Sequence, residues 1–157
     1  HWTSPKKQQR WYSGKQKAHT FKVQVALDVN TGYLLNTQGA VGSVHDFSLF
    51  KQSFNTWRYR PYFVVDKGYD GIHHLTFNAL IPFKKSKGRP LAPEQTVINR
   101  EINRRRITIE HAFAALKTFK ILSTRYRNRR RRLLLRFNLI VGLYNRELIN
   151  KWFMKEV

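Results

Sequence analysis

Tyr62-Phe63-Val64-Val65-Asp66-Lys67-Gly68-Tyr69-Asp70-Gly71 is a short run of β-formers that stops on an acid and a glycine-bearing turn. The run follows Arg60-Pro61 and has no polar break, the pattern of a buried strand. Asp66 then stands at the strand's carboxyl end. In α/β proteins ligand sites form there, because strand ends and the loops leaving them face a common crevice. A turn-forming aspartate gives the same local sequence, so position alone leaves Asp66 open between the two readings. Asp70, just before Gly71, reads as turn chemistry.

Upstream, Phe21, Val23, Val25 and Leu27 alternate with polar residues over Phe21–Val29, which predicts a half-buried strand. Asn30-Thr31-Gly32 is a turn, with Asp28 part of its chemistry, and Tyr33–Val41 is the partner strand of a hairpin. Gly42-Ser43 closes it, with Ser43 placed to cap a helix from Val44 to about Phe54. The first 18 residues read as an extended, basic, turn-rich entry. Downstream, Ile81-Pro82-Phe83 is a candidate short strand and residues 84–93 a basic Gly/Pro loop. From about Glu94 to about Leu122 the period becomes helical, with Ile98, Ile102, Ile109, Phe113 and Leu116 on one face. A basic stretch, Arg125–Arg132, leads into a last amphipathic helix over Leu133–Met154. There is no internal repeat and no second domain in the pattern. Strands first and helices last, with a mixed centre, place the chain in the α/β or α+β class.

The chain has 157 residues and a formal charge of +21, from 30 Lys and Arg against 9 Asp and Glu. Hydrophobic residues make up 41%, enough for a core and too many for a disordered basic tail. Cysteine is absent, which excludes disulfide scaffolds and cysteine-held metal. No apolar run approaches the roughly 20 residues of a membrane span, and the start has no signal-peptide pattern. The chain begins at His1 and not Met, as a fragment or trimmed product would. The charge is clustered: residues 99–136 hold thirteen Lys or Arg against Glu101 and Glu110. Further basic groups lie in residues 1–27, which contain no acid, and at Lys84, Lys85, Lys87 and Arg89. That distribution points to a polyanionic partner, nucleic acid first.

A metal-dependent nuclease needs two or three carboxylates near the phosphodiester, and with nine acids the candidates can be enumerated. Asp28 and Glu94 read as turn and first-turn acids, and Glu101, Glu147 and Glu156 as surface ion pairs. Asp46, Asp66, Asp70 and Glu110 remain. At about 100° per residue, Asn103, Arg106, Glu110 and Lys117 share an arc of roughly 60° beside the apolar stripe. This is either an active-site stripe or a surface face with an Arg106–Glu110 pair. His45-Asp46 opens the first helix, where an acid also suits the helix dipole. His73 and His74 are adjacent, so their side chains diverge, which argues against a shared metal.

Six segments in order carry a resemblance: Tyr12-Ser13-Gly14-Lys15 with His19-Thr20, Gly42-Ser43-Val44-His45-Asp46, Asp66-Lys67-Gly68-Tyr69, Arg106 to Lys117, Tyr126-Arg127-Asn128-Arg129-Arg130 and Phe137-Asn138-Leu139-Ile140. Together they resemble the DDE-type transposases of bacterial insertion sequences, in the branch close to the Harbinger-like DDE superfamily endonucleases. The resemblance implies an α/β, ribonuclease-H-like fold: a mixed sheet flanked by helices, in which three acids bind two Mg²⁺ or Mn²⁺ ions. Asp66 matches the family's second acid in its D-x-G-Y/F segment. Arg106, Glu110 and Lys117 match its Y-x2-R-x3-E-x6-K helix, with Asn103 where tyrosine is expected. Motif and helical wheel agree on Glu110.

The family's first acid lies on a strand shortly before the Y-S-G-K segment. Since residues 1–27 contain no acid, the resemblance implies that the first strand and its Asp lie upstream of His1. Residues 1–157 would then be a single catalytic domain, truncated at its N-terminus. Asp46 is the one internal substitute, and the weaker choice, since its segment matches the family's G-x-x-H-D stretch. The implied activity is two-metal phosphodiester cleavage and strand transfer at transposon ends. Lys15, Lys17, Lys84, Lys85, Lys87, Arg106, Lys117, Arg127, Arg129 and Arg130 would contact DNA. Trp11, Tyr12 and Tyr126 would either stack on unpaired bases or pack in the core. The implied partners are double-stranded DNA, at both transposon ends and target, and further copies of the chain, inside a bacterial cell, without membrane or small-molecule cofactor. The rival is a nuclease-dead, DNA-binding descendant or a decayed fragment.

Overall fold

A computed structural model describes residues 11–13, 17–58, 61–86, 88, 90–124 and 132–154. In chain order its elements are β1 (Tyr12–Ser13), β2 (Ala18–His19), β3 (Phe21–Leu27), β4 (Leu34–Val41), α1 (Asp46–Phe54), β5 (Phe63–Val64), β6 (Ala79–Leu80), α2 (Pro93–Lys117), α3 (Lys120–Ser123) and α4 (Leu133–Phe153). Among the described residues the strands pair two by two: β1 with β2 antiparallel, β3 with β4, and β5 with β6 parallel. The chain is α/β, with both strand orientations. Contacts divide it into two compact units, one on the described residues up to Gln24 and on Gln38–Asn103, the other on Val25–Thr37 and from Arg104 onward.

The first unit is organised by aromatic packing. Phe50, Phe54, Phe63, Ile72 and Ala79 form a buried cluster, with Phe47, Val65, Tyr69, Leu75 and Ile81 against it. Leu49, Phe50, Ser53 and Phe54 fall on one face of α1, the i, i+1, i+4, i+5 spacing of a core-facing stripe. The Phe50 ring meets both Phe63 and Tyr69 edge-on, at 5.4 and 5.7 Å between centroids. Each such pair adds about 0.5–1.5 kcal/mol beyond area burial. β5 is tied to β6 by hydrogen bonds from Phe63 N–H to Asn78 C=O and from Val65 N–H to Leu80 C=O. All seven residues of β3 are half-buried, so its polar face is covered too: Gln24 Nε2 donates to Ser53 Oγ on α1 at 3.3 Å. Gly42 allows a close backbone crossing. A Cβ there would lie 2.8 Å from Thr20 O and 2.9 Å from Trp11 O, nearer than any side chain allows.

In the second unit, Asp28 builds the expected turn. Its carboxylate accepts from Asn30 N–H and from the Thr31 hydroxyl. Gly32 takes φ 74°, a region that glycine enters without steric cost. Asn145 on α4 is buried and clamps Leu34, accepting from its N–H and donating to its C=O, both at 2.9 Å. The Thr37 hydroxyl donates to Asn138 Oδ1 at 2.6 Å. Phe137, Ile140 and Val141 supply the buried face of α4.

Five expectations are corrected. The Tyr12–Ser13 segment is not merely extended but pairs with Ala18–His19. Ser43 does not cap α1: Val44 N–H is spent on Val41 C=O in a turn, and the N-cap is His45, whose C=O accepts from Leu49 N–H. The strand after the Asp66 turn is Ala79–Leu80, not Ile81-Pro82-Phe83. Pro82 has no N–H for a ladder, and both backbone groups of Phe83 are taken by the side-chain amide of Asn99. Finally, Ile98 is 42% exposed, while Ile102 and Leu116 are each 1% exposed. In the first turns of α2, Gln95 and Asn99 face inward instead. Gln95 reaches back to Ala92 N–H at 3.1 Å, the return half of a capping box. The long helix also ends earlier, at Lys117, with a separate turn of helix at Lys120–Ser123.

Candidate active site

Asp66 leaves β5 in an extended conformation and caps a turn of 3-10 helix over Lys67–Tyr69. Its Oδ1 accepts from Lys67 N–H at 2.7 Å, and its C=O accepts from Tyr69 N–H at 3.0 Å. The turn reading of this residue is borne out, and its carboxylate is exposed at a strand's carboxyl end. The turn is anchored through Tyr69, whose ring packs edge-on against Phe50. Burial pushes the Tyr69 phenol up to about 12, and the negative charges of Asp46 and then Asp66 add to the shift. Two carboxylates thus act on one phenol.

Asp46 is the first residue of α1 and is exposed. Its Oδ1 is 3.0 Å from Lys22 Nζ, which also donates to Val44 C=O at 2.8 Å. Its Oδ2 lies 3.9 Å from where a Cβ on Gly68 would stand. The sequence reading missed the Lys22–Asp46 pair. Its signal was the alternation of β3, which puts Lys22 and Gln24 on one face; α1 covers that face, so both find partners on or beside it. Asp70 is tied to Lys84 at 2.6 Å, and the Lys84 ammonium holds its carboxyl below the usual range.

Glu110 sits on α2, exposed, as are Asn103 and Lys117, with Arg106 half-buried along the same face. No glycine or proline interrupts Glu94–Lys117, so regular helix geometry alone fixes their spacing. Among the described residues there is no group of three or more Asp, Glu, His or Cys able to hold a metal ion. His73 and His74 are exposed on a 3-10 turn. Of the basic candidates, Lys17, Lys84 and Lys85 are exposed. Lys15, Lys87, Arg127, Arg129 and Arg130 lie outside the described residues, as does Tyr126. Among the described residues, no helix is long and apolar enough to cross a membrane.

The family model for DDE superfamily endonucleases matches residues 2–145. The chain belongs to the DDE superfamily endonucleases. It is also 45% identical over 148 residues to a Microchaete diplosiphon protein named as the probable transposase for insertion sequence element IS702. That alignment covers 94% of the chain and 54% of the relative, so the chain spans about half the length of the transposase it matches. No solved structure matches. The DDE match includes the Asp66 turn, all of α2 with Arg106, Glu110 and Lys117, and the His45-Asp46 start of α1. The chain is thus of the DDE insertion-sequence transposase type.

Proposed function

We propose that the chain is the catalytic part of a transposase that cuts and joins DNA at transposon ends, on a ribonuclease-H-like fold. The observation that carries this reading is Asp66: an exposed carboxylate at the end of β5, fixed by Lys67 N–H, inside a segment matched to an endonuclease family. Asp66 and Glu110 offer carboxylate oxygens and no sulfur or imidazole, a donor set suited to hard divalent cations such as Mg²⁺ or Mn²⁺. They would hold two such ions together with a third acid from residues outside this segment. When bound, such ions lower the pKa of water and stabilise the oxygens of an in-line displacement at phosphorus.

The remaining residues position the nucleic acid. Arg106 and Lys117, on the Glu110 helix, would contact phosphates. Lys15, Lys17, Lys84, Lys85, Lys87, Arg127, Arg129 and Arg130 would follow the DNA backbone, which supplies affinity and register but not sequence. Lys84 would exchange Asp70 for phosphate, an exchange made easy by the low worth of exposed ion pairs. The work would be done by several copies on paired ends.

The test is cleavage of labelled transposon-end DNA by the full-length protein with Mg²⁺ or Mn²⁺. Glu110→Gln is expected to abolish cutting and leave DNA binding nearly intact. Wild-type cutting by that variant removes Glu110 from the site. Binding with steep salt dependence and no metal-dependent cutting by any version would mark a DNA-binding derivative instead.

A further inference from the structure

Asp46 has a partner on each side, and the two differ in kind. One oxygen is paired to Lys22, whose ammonium also holds Val44 C=O, so a single lysine on β3 fastens both the turn before α1 and its first residue. The other oxygen faces the backbone of the Asp66 turn at Gly68. Gly68 is not at a left-handed φ, and a Cβ there would be in ordinary contact with the carboxylate; a longer side chain would run into it. One turn further along α1, Phe50 packs on Tyr69. The Asp66–Tyr69 turn therefore meets α1 at the Phe50 ring and lies beside the Asp46 carboxylate.

Lys22 offsets the charge of Asp46, with its ammonium 3.0 Å from the carboxylate. Its ammonium also makes Asp46 a poor metal ligand, since a divalent ion would have to displace a charge-assisted hydrogen bond. We propose that Lys22 and Asp46 are positioning residues: a charged brace that seats the Asp66 turn on α1 while keeping Asp46 itself out of the metal site. The proposal rests on the reading of Asp66 as a metal-holding acid.

The experiment compares Lys22→Met, Asp46→Asn, their combination, Lys22→Arg and Asp66→Asn in the full-length protein. One readout is Mn²⁺-dependent cleavage of transposon-end DNA. The other is hydrogen exchange of the Tyr69 amide in metal-free protein. Outer residues that orient metal ligands contribute about 10- to 100-fold in activity. Lys22→Met and Asp46→Asn are each expected to lower kcat by that much with KM for DNA unchanged. The combination should be no worse than the poorer single change, as for one coupled pair. Lys22→Arg should keep most of the activity, which shows that loss in the other variants is not general unfolding. Tyr69 exchange should quicken in Lys22→Met and recover in Lys22→Arg.

Three results overturn the brace. Wild-type kcat and wild-type Tyr69 exchange in Lys22→Met show that the pair seats nothing. Loss of all cutting together with Mn²⁺ binding in Asp46→Asn, matching Asp66→Asn, makes Asp46 a ligand. A raised KM with unchanged kcat in Lys22→Met makes Lys22 a phosphate contact. Wild-type cutting by Asp66→Asn instead overturns the site reading and the catalytic role of the brace with it; quickened Tyr69 exchange would then report a purely structural pair.

Discussion

Asp66 and Glu110 are carboxylates held in opposite ways. Asp66 is fixed by chemistry within a few ångströms: a bond to Lys67 N–H, a turn closed onto its own carbonyl, and a Tyr69 ring packed on Phe50. Glu110 is exposed on a regular helix, and its place comes from the buried residues Ile102, Ala112 and Leu116 on the faces that anchor that helix. The first acid is set by its neighbours and the second by periodicity. Around Asp66, substitutions that leave the carboxylate alone should still matter. Around Glu110, only the acid itself, the proposed phosphate contacts Arg106 and Lys117, and the helix's buried faces should.

Replacing either acid is the largest effect expected. Asp66→Asn and Glu110→Gln should each lower cleavage on the order of 10³-fold or more, the scale on which losing a preorganised charge acts in an active site. If only one of them does, the comparison breaks, because the two acids would no longer serve one reaction.

Next come the anchors. Asn145→Ala strips two buried hydrogen bonds from Leu34. It should destabilise the protein by about 2–6 kcal/mol in denaturant unfolding, at about 1–3 kcal/mol per abandoned buried group. Asn99 makes the same two-bond clamp on Phe83 from the opening turns of α2, but it is only half-buried and its bonds are open to solvent. There water replaces the lost partners, and Asn99→Ala should cost about 1 kcal/mol or less. Equal costs would show that burial does not separate the two clamps.

The Asp66 region also has a pH signature. Tyr69 is raised to about 12 from 10.0, so the folded state keeps its proton while the unfolded chain ionises. The stability this contributes, on the order of 2 kcal/mol, is whole below pH 10 and lost as pH rises from about 10 to about 12. An ultraviolet titration should show Tyr69 as a late tyrosine, with Tyr144 also raised by burial. Asp46→Asn should bring it down without returning it to 10, because burial is the larger cause. No shift in that variant would remove Asp46 from the neighbourhood of the ring.

The smallest effect belongs near Glu110. Ala114, one turn further along α2, is exposed. Ala114→Ser should change stability by about 0.5 kcal/mol at most, the helix-propensity difference alone, and leave cleavage untouched.

What was legible in the sequence follows the same division. The hairpin around Asp28-Gly32, the strand ending at Asp66 and the helix bearing Glu110 all come from local chemistry: turn residues, a short β-rich run, a 3.6-residue period. The family was legible from six short segments in order. The failures are contacts between residues far apart in the chain. Asn99 takes the backbone of Phe83 and so denies it to a strand. Lys22 reaches Asp46 from 24 residues away; the alternation of β3 shows the face Lys22 lies on but not the partner it meets there. Ile98 fits the apolar period yet faces outward, because Gln95 and Asn99 spend their polar groups on the loop beside them.

The most direct test of the proposal that Asp66 and Glu110 are both metal-holding acids is an Mn²⁺ titration of the full-length protein by electron paramagnetic resonance. Asp66→Asn and Glu110→Gln should each weaken binding by about tenfold or more, and Glu101→Gln, an exposed acid on the same helix, should not. A Glu110→Gln protein that binds Mn²⁺ as tightly as wild type would contradict the account.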